Sequence, residues 1–193
     1  MTMKKVKPEL LHRLFYPQVP AVMSVKLGTR VSAMPVVSYS AVSESPPIVA
    51  VACAPGASTC RAALKAKAFS LCILDDRHVG SMERLVAARG YEVEDKLLAA
   101  GLRHSKGLVL DVPVVRGADA ALECALLSSE GVGDHLLLFG GVRAVSSSDR
   151  FSASWNFSRY RPILYTGLKD GMTEYPGAAG RRASHRPTRR PRP

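Results

Sequence analysis

Two sets of small polar residues flank one apolar segment in the first third of the sequence. The segment 37–47, VSYSAVSESPP, is rich in hydroxyl groups, and the pair Ser58-Thr59 follows the apolar run 48–54, IVAVACA. The Ala-rich residues after this pair predict a helix, for which Ser58 or Thr59 can serve as the N-cap. Hydroxyl groups there can also bind an anion, because a helix N-terminus carries partial positive charge. On spacing alone, an ordinary loop followed by an ordinary N-cap is the favoured interpretation.

The sequence lacks the short motifs of several common enzyme classes. It contains no GxGxxG, GxxxxGK[ST], GxSxG or HExxH pattern, and its five histidines show no metal-ligand spacing. These absences weigh against P-loop chemistry, covalent hydrolysis and zinc catalysis. We therefore predict no metal site, and we expect that a bound cofactor carries any catalysis.

The positive charge of the chain is concentrated at its C-terminus. The formal net charge is +11, and the last 13 residues hold six arginines and no acid, which leaves +5 on residues 1–180. This terminus has too few apolar side chains to offset the entropy of ordering. We predict one folded domain over 1–175 and a basic, disordered tail over 176–193. Nucleic-acid binding is disfavoured, because aromatic residues make up 6% of the chain and no strand interleaves them with basic residues.

The cysteines and the N-terminus suggest a reducing compartment. None of the four cysteines belongs to a CxxC motif, and three lie inside apolar runs, so that buried free thiols are expected. The N-terminus has no apolar signal region, and no run reaches the roughly 18 apolar residues of a membrane span. We therefore expect a cytoplasmic protein that does not bind membranes.

The hydrophobic pattern predicts about seven strands and a few small helices. No regular alternation of strands and helices continues along the chain, which disfavours a doubly wound sheet. The expected fold is mainly β with small helices (α+β), as an antiparallel barrel with helices at its ends. The predicted strands are 20–26, 31–40, 46–54, 69–75, 108–115, 120–129, 135–147 and 161–167, and the predicted helices are 56–68, 81–89 and 93–101.

Several segments in order resemble one known family. YPQVPAVMSV, VSAMPVVSYSAVSESPPIVAVACAPGASTCRAAL, VEDKLLAAGL, LECALLSSEGVGDHLLLFGGVRAV and YRPILYTG, within residues 10–168, are similar to the flavin reductase-like family of FMN-binding split barrels, which includes flavoredoxins. The resemblance implies an antiparallel FMN-binding split β-barrel. It also implies FMN as cofactor and NADH or NADPH as electron donor.

The resemblance assigns roles to individual residues. The segment Ser38–Ala41 would offer backbone groups to the edge of the flavin ring, and Ser58 and Thr59 would bind the phosphate. His135, in the Gly-Asp-His hairpin, would be catalytic, close to the nicotinamide or the flavin face; the alternative is a hairpin histidine facing solvent. The implied cofactor-binding residues are Ser32, Ser38, Tyr39, Ser40, Ala41, Cys53, Ala54, Ser58, Thr59 and Lys96.

Alternatives remain for two of these residues, and the sequence departs from the family pattern at three positions. Lys96 could equally be a solvated helix lysine, and Tyr39 could pack in the barrel. The family commonly has Asn near Ser32, Trp near Ser38 and a basic residue where Ala57 stands. The charge missing at Ala57 could come from Arg61 or Lys65.

Two functions follow from the resemblance. One is an NAD(P)H-dependent flavin reductase, which moves hydride to N5 of the flavin and passes electrons to a flavin, ferric or protein acceptor. The other is a flavoredoxin-like electron carrier with tightly bound FMN. A homodimer with FMN at the subunit boundary is expected as well, because the runs 48–54 and 135–142 are apolar on both faces and need a cover.

Overall fold

The strands of the protein form one large antiparallel sheet and two small ones. The computed structural model describes residues 3–88, 93–168 and 171–174. The strands are β1 (Ala21–Leu27), β2 (Arg30–Val36), β3 (Tyr39–Glu44), β4 (Pro47–Cys53), β5 (Ala68–Ile73), β6 (His104–Lys106), β7 (Pro113–Val115), β8 (Ala120–Val132), β9 (His135–Ser147), β10 (Ile163–Tyr165) and β11 (Met172–Glu174). The helices are α1 (Ser58–Ala66), α2 (Val79–Ala87) and α3 (Lys96–Ala99), with 3-10 turns at Pro8–Phe15 and Asp76–His78.

The large sheet closes on itself as a barrel. Its seven strands follow the order β2-β1-β5-β8-β9-β4-β3, while β6 pairs with β7 and β10 with β11. Although β2 and β4 lie toward opposite edges of this sheet, they contact each other. The hairpin of β1 and β2 turns through Gly28, whose φ of +62° is easily reached only without a side chain. This fold is the α+β antiparallel barrel that the sequence predicts.

Two apolar clusters occupy opposite faces of the sheet. The interior cluster contains Met23, Phe69 and Leu138, and α1 covers it with Cys60 and Ala63. The outer cluster lies between the sheet and the helices α2 and α3. Strand β1 contributes to both clusters, and therefore its first five residues are all buried.

One close approach inside the barrel requires glycine. A Cβ atom on Gly140 of β9 would lie 2.5 Å from the Phe69 ring and 2.9 Å from the Cβ of Cys124. The absence of a side chain at Gly140 therefore makes room for the fully buried Phe69 ring.

The predicted strand 108–115 is wrong over most of its length. Only Pro113–Val115 forms a strand, and residues 108–111 bend instead. The cause is Glu123 of β8, whose carboxylate accepts the backbone N–H groups of Leu108, Val109 and Leu110 at 2.6–2.9 Å. These three N–H groups are therefore not available for hydrogen bonds to a neighbouring strand.

Other predicted boundaries also change. The strand predicted to end at residue 40 ends at Val36, and the hydroxyl-rich segment forms a separate strand, β3, because it pairs with β4. The helix predicted at 93–101 reduces to Lys96–Ala99, because Asp95 is its N-cap and accepts the N–H of Leu98 at 2.9 Å. The predicted tail, 176–193, lies outside the described residues.

All four cysteines are free and buried, as predicted. Within the described part of the chain, no helix combines the length and the apolar character needed to cross a membrane.

Candidate functional site

Three hydroxyl side chains meet where α1 begins. Ser32 lies on β2, and its Oγ atom is 2.9 Å from Oγ1 of Thr59 and 3.4 Å from Oγ of Ser58. Thr59 is 1% exposed, whereas Ser32 and Ser58 are partly exposed. The structure thus joins a residue of β2 to the helix start 26 and 27 positions later. We call Ser32, Ser58 and Thr59 the hydroxyl cluster.

The N-terminus of α1 is not capped by any side chain. The N-cap residue is Ala57, not Ser58 or Thr59, and its methyl group cannot accept a hydrogen bond from the first turn. The first turn of α1, which contains Ser58 and Thr59, also has no acidic residue to neutralise the positive end of the helix dipole. Arg61 adds positive charge nearby, since its Nη1 donates to the carbonyl of Gly56 at 2.6 Å.

Lys96 is a buried cation at the start of α3, a helix that contacts β2. Backbone pairing of Val31 with the segment 94–95 holds the start of α3 against β2, next to Ser32 in the chain. Lys96 is 6% exposed, and burial lowers the pKa of its ammonium group. No carboxylate among the described residues pairs with this ammonium, because neighbouring Asp95 binds His104 and the N–H of Leu98 instead. Lys96 is therefore not the solvated helix lysine that the sequence left open.

Ser38, Tyr39 and Ser40 line a cavity of about 310 Å³ on the outer face of the barrel. Ser38 stands at the C-terminal end of β4, where its carbonyl accepts the N–H of Ala52 at 2.8 Å. The N-cap of α1 follows only five residues after Ala52, so the hydroxyl-rich segment and the hydroxyl cluster lie at the same end of β4.

Tyr39 is fixed in the barrel wall. Its hydroxyl donates to the carbonyl of Val19 at 3.0 Å, and burial raises the pKa of the phenol to about 12. Its ring packs against the interior cluster. The Tyr39 ring is thus packed in the barrel wall, and part of the residue lines the 310 Å³ cavity.

Three further predicted residues occupy different surroundings. Cys53 is buried 3.9 Å from the sulfur of Met23, and burial raises the pKa of its thiol to about 12. Its side chain thus belongs to the core, which leaves its backbone as the part that could meet a ligand. Ala54 is exposed in the loop before α1, and Ala41 is exposed on β3, opposite Val49.

His135 lies at the tip of the β8–β9 hairpin, and the next residue, Leu136, pairs with Cys53 at the C-terminal end of β4. Its Nδ1 is 2.7 Å from Oδ1 of Asp134, and its side chain is 46% exposed. Leu137, two residues along β9 and therefore on the same face, lines the 310 Å³ cavity. His135 is thus at the edge of this region and is open to solvent.

Sequence reasoning missed the contribution of the N-terminal segment. Leu11, His12, Phe15 and Tyr16 all line the 310 Å³ cavity. A possible signal was the spacing of apolar residues in PELLHRLF, which gives this short segment an apolar side.

A second cavity, of about 550 Å³, adjoins the first. Tyr16 and Val37 line both cavities, so the two spaces share a wall. The last turns of α2 and the β10–β11 hairpin form the other sides of the larger cavity.

The chain is similar to one protein family over most of its length. The flavin reductase-like domain model matches residues 12–164. An uncharacterized protein of Aeropyrum pernix is 32% identical over 166 residues, which are 86% of this chain; the chain spans 63% of that relative's length. A flavin reductase of Pseudomonas putida is 27% identical over 163 residues, covering 78% of this chain and 92% of the relative.

A solved structure of another protein has a similar fold. The crystal structure of an FMN-binding protein from Thermus thermophilus, with bound 1-cyclohex-2-enone, superposes with a TM-score of 0.76. The two sequences are 28% identical, and the match covers 91% of this chain and 96% of the other. With the domain model matching most of the chain, the protein belongs to the flavin reductase-like family.

Proposed function

We propose that the protein binds FMN and acts as an NAD(P)H-dependent flavin reductase. The observation that carries the proposal is the hydroxyl cluster at the uncapped N-terminus of α1, together with Lys96, which is buried and pairs with no carboxylate among the described residues. Family membership supports it, as does the similarity to a named flavin reductase.

The residues at the start of α1 fit the phosphate of FMN. Phosphate oxygens accept hydrogen bonds, and the hydroxyl cluster and the first turn of α1 both offer donors. A phosphate would also supply the negative charge that Lys96 lacks among the described residues. Each charge-assisted hydrogen bond contributes roughly 1.5–3 kcal/mol.

The 310 Å³ cavity fits the edge of a flat ring. Ala50 and Leu137 give it an apolar floor; Ser38, just before β3, and Ser40 on β3 also line the cavity. Because β3 is an edge strand of the large sheet, part of its backbone is free to bond a ligand. FMN, when bound, supplies the chemistry of accepting hydride from a nicotinamide. The chain itself would bind and orient the ring and exclude water from one side of it.

His135 is the proposed contact to the nicotinamide. Its position at the rim leaves it open to a second molecule, and Asp134 holds its Nδ1 nitrogen. We expect His135→Ala to slow flavin reduction several-fold while FMN stays bound, because the histidine would orient the nucleotide rather than hold FMN. Asp149→Ala, in an exposed surface ion pair, is the control. Anaerobic rapid mixing measures the rate of flavin reduction in both variants. Equal rates would contradict the contact to the nicotinamide and leave His135 as a solvent-facing hairpin residue.

A homodimer is part of the proposal. Residues that alternate along β4 and β9 place Ile48, Ala52, Leu137 and Phe139 on the outer face of the barrel, opposite the interior cluster. An apolar outer face needs a cover, and a second copy related by a twofold axis is the commonest one. Analytical ultracentrifugation at micromolar concentration tests this, and a stable monomer with stoichiometric FMN would contradict it.

Two measurements test the proposed activity. FMN and riboflavin are titrated into flavin-free protein, and we expect FMN to bind at least tenfold tighter because riboflavin lacks the phosphate; equal affinities would overturn the phosphate site. The FMN-loaded protein is then mixed with NADH or NADPH without oxygen. Loss of the oxidised flavin spectrum supports the reductase, whereas no reduction by either nucleotide favours the flavoredoxin-like carrier.

A further inference from the structure

Residues from several strands and from α2 line the larger cavity, which adjoins the 310 Å³ cavity. Pro35 and Val37 come from the end of β2 and the residue after it, Val86 and Ala87 from the end of α2, and Met172 from β11. Its volume of about 550 Å³ lies within the range of small-molecule sites, about 300–1,000 Å³. A space of this size, with the aromatic rings of Tyr16 and Tyr165 in its lining, can hold a small, largely apolar molecule.

The wall between the two cavities is well supported. The rings of Tyr16 and Tyr165 meet edge to face, with centroids 5.0 Å apart. Their backbones are held together by reciprocal hydrogen bonds between Gln18 and Tyr165, at 3.1 and 2.8 Å. Gly167 brings the backbone directly against the Tyr16 ring, which a Cβ atom would strike. These contacts make the wall a fixed part of the fold.

Among the described residues that line the larger cavity, Glu83 is the one with a charged side chain. Glu83 of α2 is the ionisable acid among the described lining residues, and no lysine, arginine or histidine is found with it there. The adjacent Arg84 is not among the described lining residues, and its guanidinium donates to the carbonyl of Ala100 and the hydroxyl of Ser81. A cation would gain energy from Glu83 and an anion would lose it.

This lining differs from what a nucleotide needs. FMN and the nicotinamide dinucleotides carry phosphate groups, which require donors and positive charge such as those around α1. The larger cavity offers instead aromatic rings, aliphatic side chains and a carboxylate.

We infer that the 550 Å³ cavity is a second ligand site, which takes a neutral or cationic planar aromatic molecule and disfavours anions. That the ligand lies beside a flavin rests on the proposed function, whereas its chemical class rests on the lining alone. Glu83 is the residue that sets the preference for charge, and Val86 and Ala87 supply the apolar side opposite β2.

Three probes of similar size and different charge test the site: benzylamine, which is protonated at neutral pH, benzyl alcohol and benzoate. Their dissociation constants are measured by titration calorimetry and ligand-observed NMR on the full-length protein, with and without added FMN. We expect benzylamine and benzyl alcohol to bind more tightly than benzoate. Glu83→Gln should reduce the preference for benzylamine over benzoate about threefold to tenfold, since the carboxylate is near solvent.

Cavity-filling variants locate the binding. Val86→Trp should weaken all probes at least tenfold, and it should fold because Val86 is 62% exposed. Leu98→Trp, at an exposed position of α3 outside either cavity, is the matched control and should bind as the wild type does. Ala87→Phe is the second filling variant, should Val86→Trp melt early.

Either of two results overturns the inference: equal binding by the filled and control variants, or benzoate binding as tightly as benzylamine. FMN affinity is measured separately on each variant. Failure to bind FMN would overturn the proposed function and leave the probe results standing, and failure of the probes would leave FMN binding standing.

Discussion

Glu123 and Lys96 are both buried charges, and the protein treats them in opposite ways. Glu123 is 3% exposed and accepts three backbone N–H groups, whereas Lys96 is 6% exposed and pairs with no carboxylate among the described residues. Burial alone would raise the pKa of Glu123, but the three donors outweigh it and lower that pKa; burial lowers the pKa of Lys96 with nothing to oppose it. Glu123, with its partners in place, shapes a loop, whereas Lys96, with no carboxylate partner among the described residues, is the one proposed to meet a ligand.

The largest effect should come from removing the satisfied charge. Glu123→Ala leaves the N–H groups of residues 108–110 without their acceptor, so we expect the free energy of unfolding to fall by about 3 kcal/mol or more. Urea denaturation measures this change. Glu130→Ala, on the exposed part of the same strand, should stay within about 0.5 kcal/mol of wild type. Similar losses in both variants would mean that the loop is held by other contacts.

Removing the hydroxyls should affect the ligand more than the fold. Ser58→Ala combined with Thr59→Ala takes two donors from the proposed phosphate site, and FMN affinity should fall at least tenfold, about 1.4 kcal/mol. Riboflavin should bind the variant and the wild type equally, because it lacks the phosphate. The measurement is a flavin fluorescence titration, and unchanged FMN affinity in the double variant would place the phosphate elsewhere.

Lys96→Met sharpens the contrast with Glu123. Replacing an unpaired buried cation by an apolar side chain of similar length should leave the flavin-free protein equally stable or slightly more so. FMN affinity should nevertheless drop about tenfold, since the phosphate loses a counter-charge. Thermal melts with and without FMN separate the two effects, and a strongly destabilised flavin-free variant would show that Lys96 is structural.

Protonation of Glu123 should contribute to the loss of stability at low pH. Because its folded pKa lies below the unfolded value of about 4.3, the carboxylate stabilises the protein fully above that value. This contribution is lost as the pH falls from there through the folded pKa. Unfolding free energies from pH 7 to 3 should therefore decline more steeply for wild type than for Glu123→Gln, which cannot ionise. Parallel curves would assign the acid sensitivity to other groups, such as Asp75 with its arginine and histidine partners.

Sequence patterns predicted the elements well where local chemistry controls them. The apolar runs indicated the strands β1, β4, β5, β8 and β9, and the Ala-rich segment indicated the helix α1. They failed at 108–111, a mostly apolar stretch, because the acceptor that bends it comes from Glu123, 13 to 15 residues later than the donors. Local propensity contains no information about such a partner.

The sequence by itself determined the barrel, its family and the residue types available for a phosphate. The tertiary structure decided which of them meet. Ser32 joins Thr59 because the β1–β2 hairpin and α1 pack together, Lys96 becomes buried because its segment pairs with Val31, and Tyr16 enters the site because Gln18 pairs with Tyr165. Each of these contacts joins distant parts of the chain, and their geometry depends on strand register and packing, which short stretches of sequence do not encode.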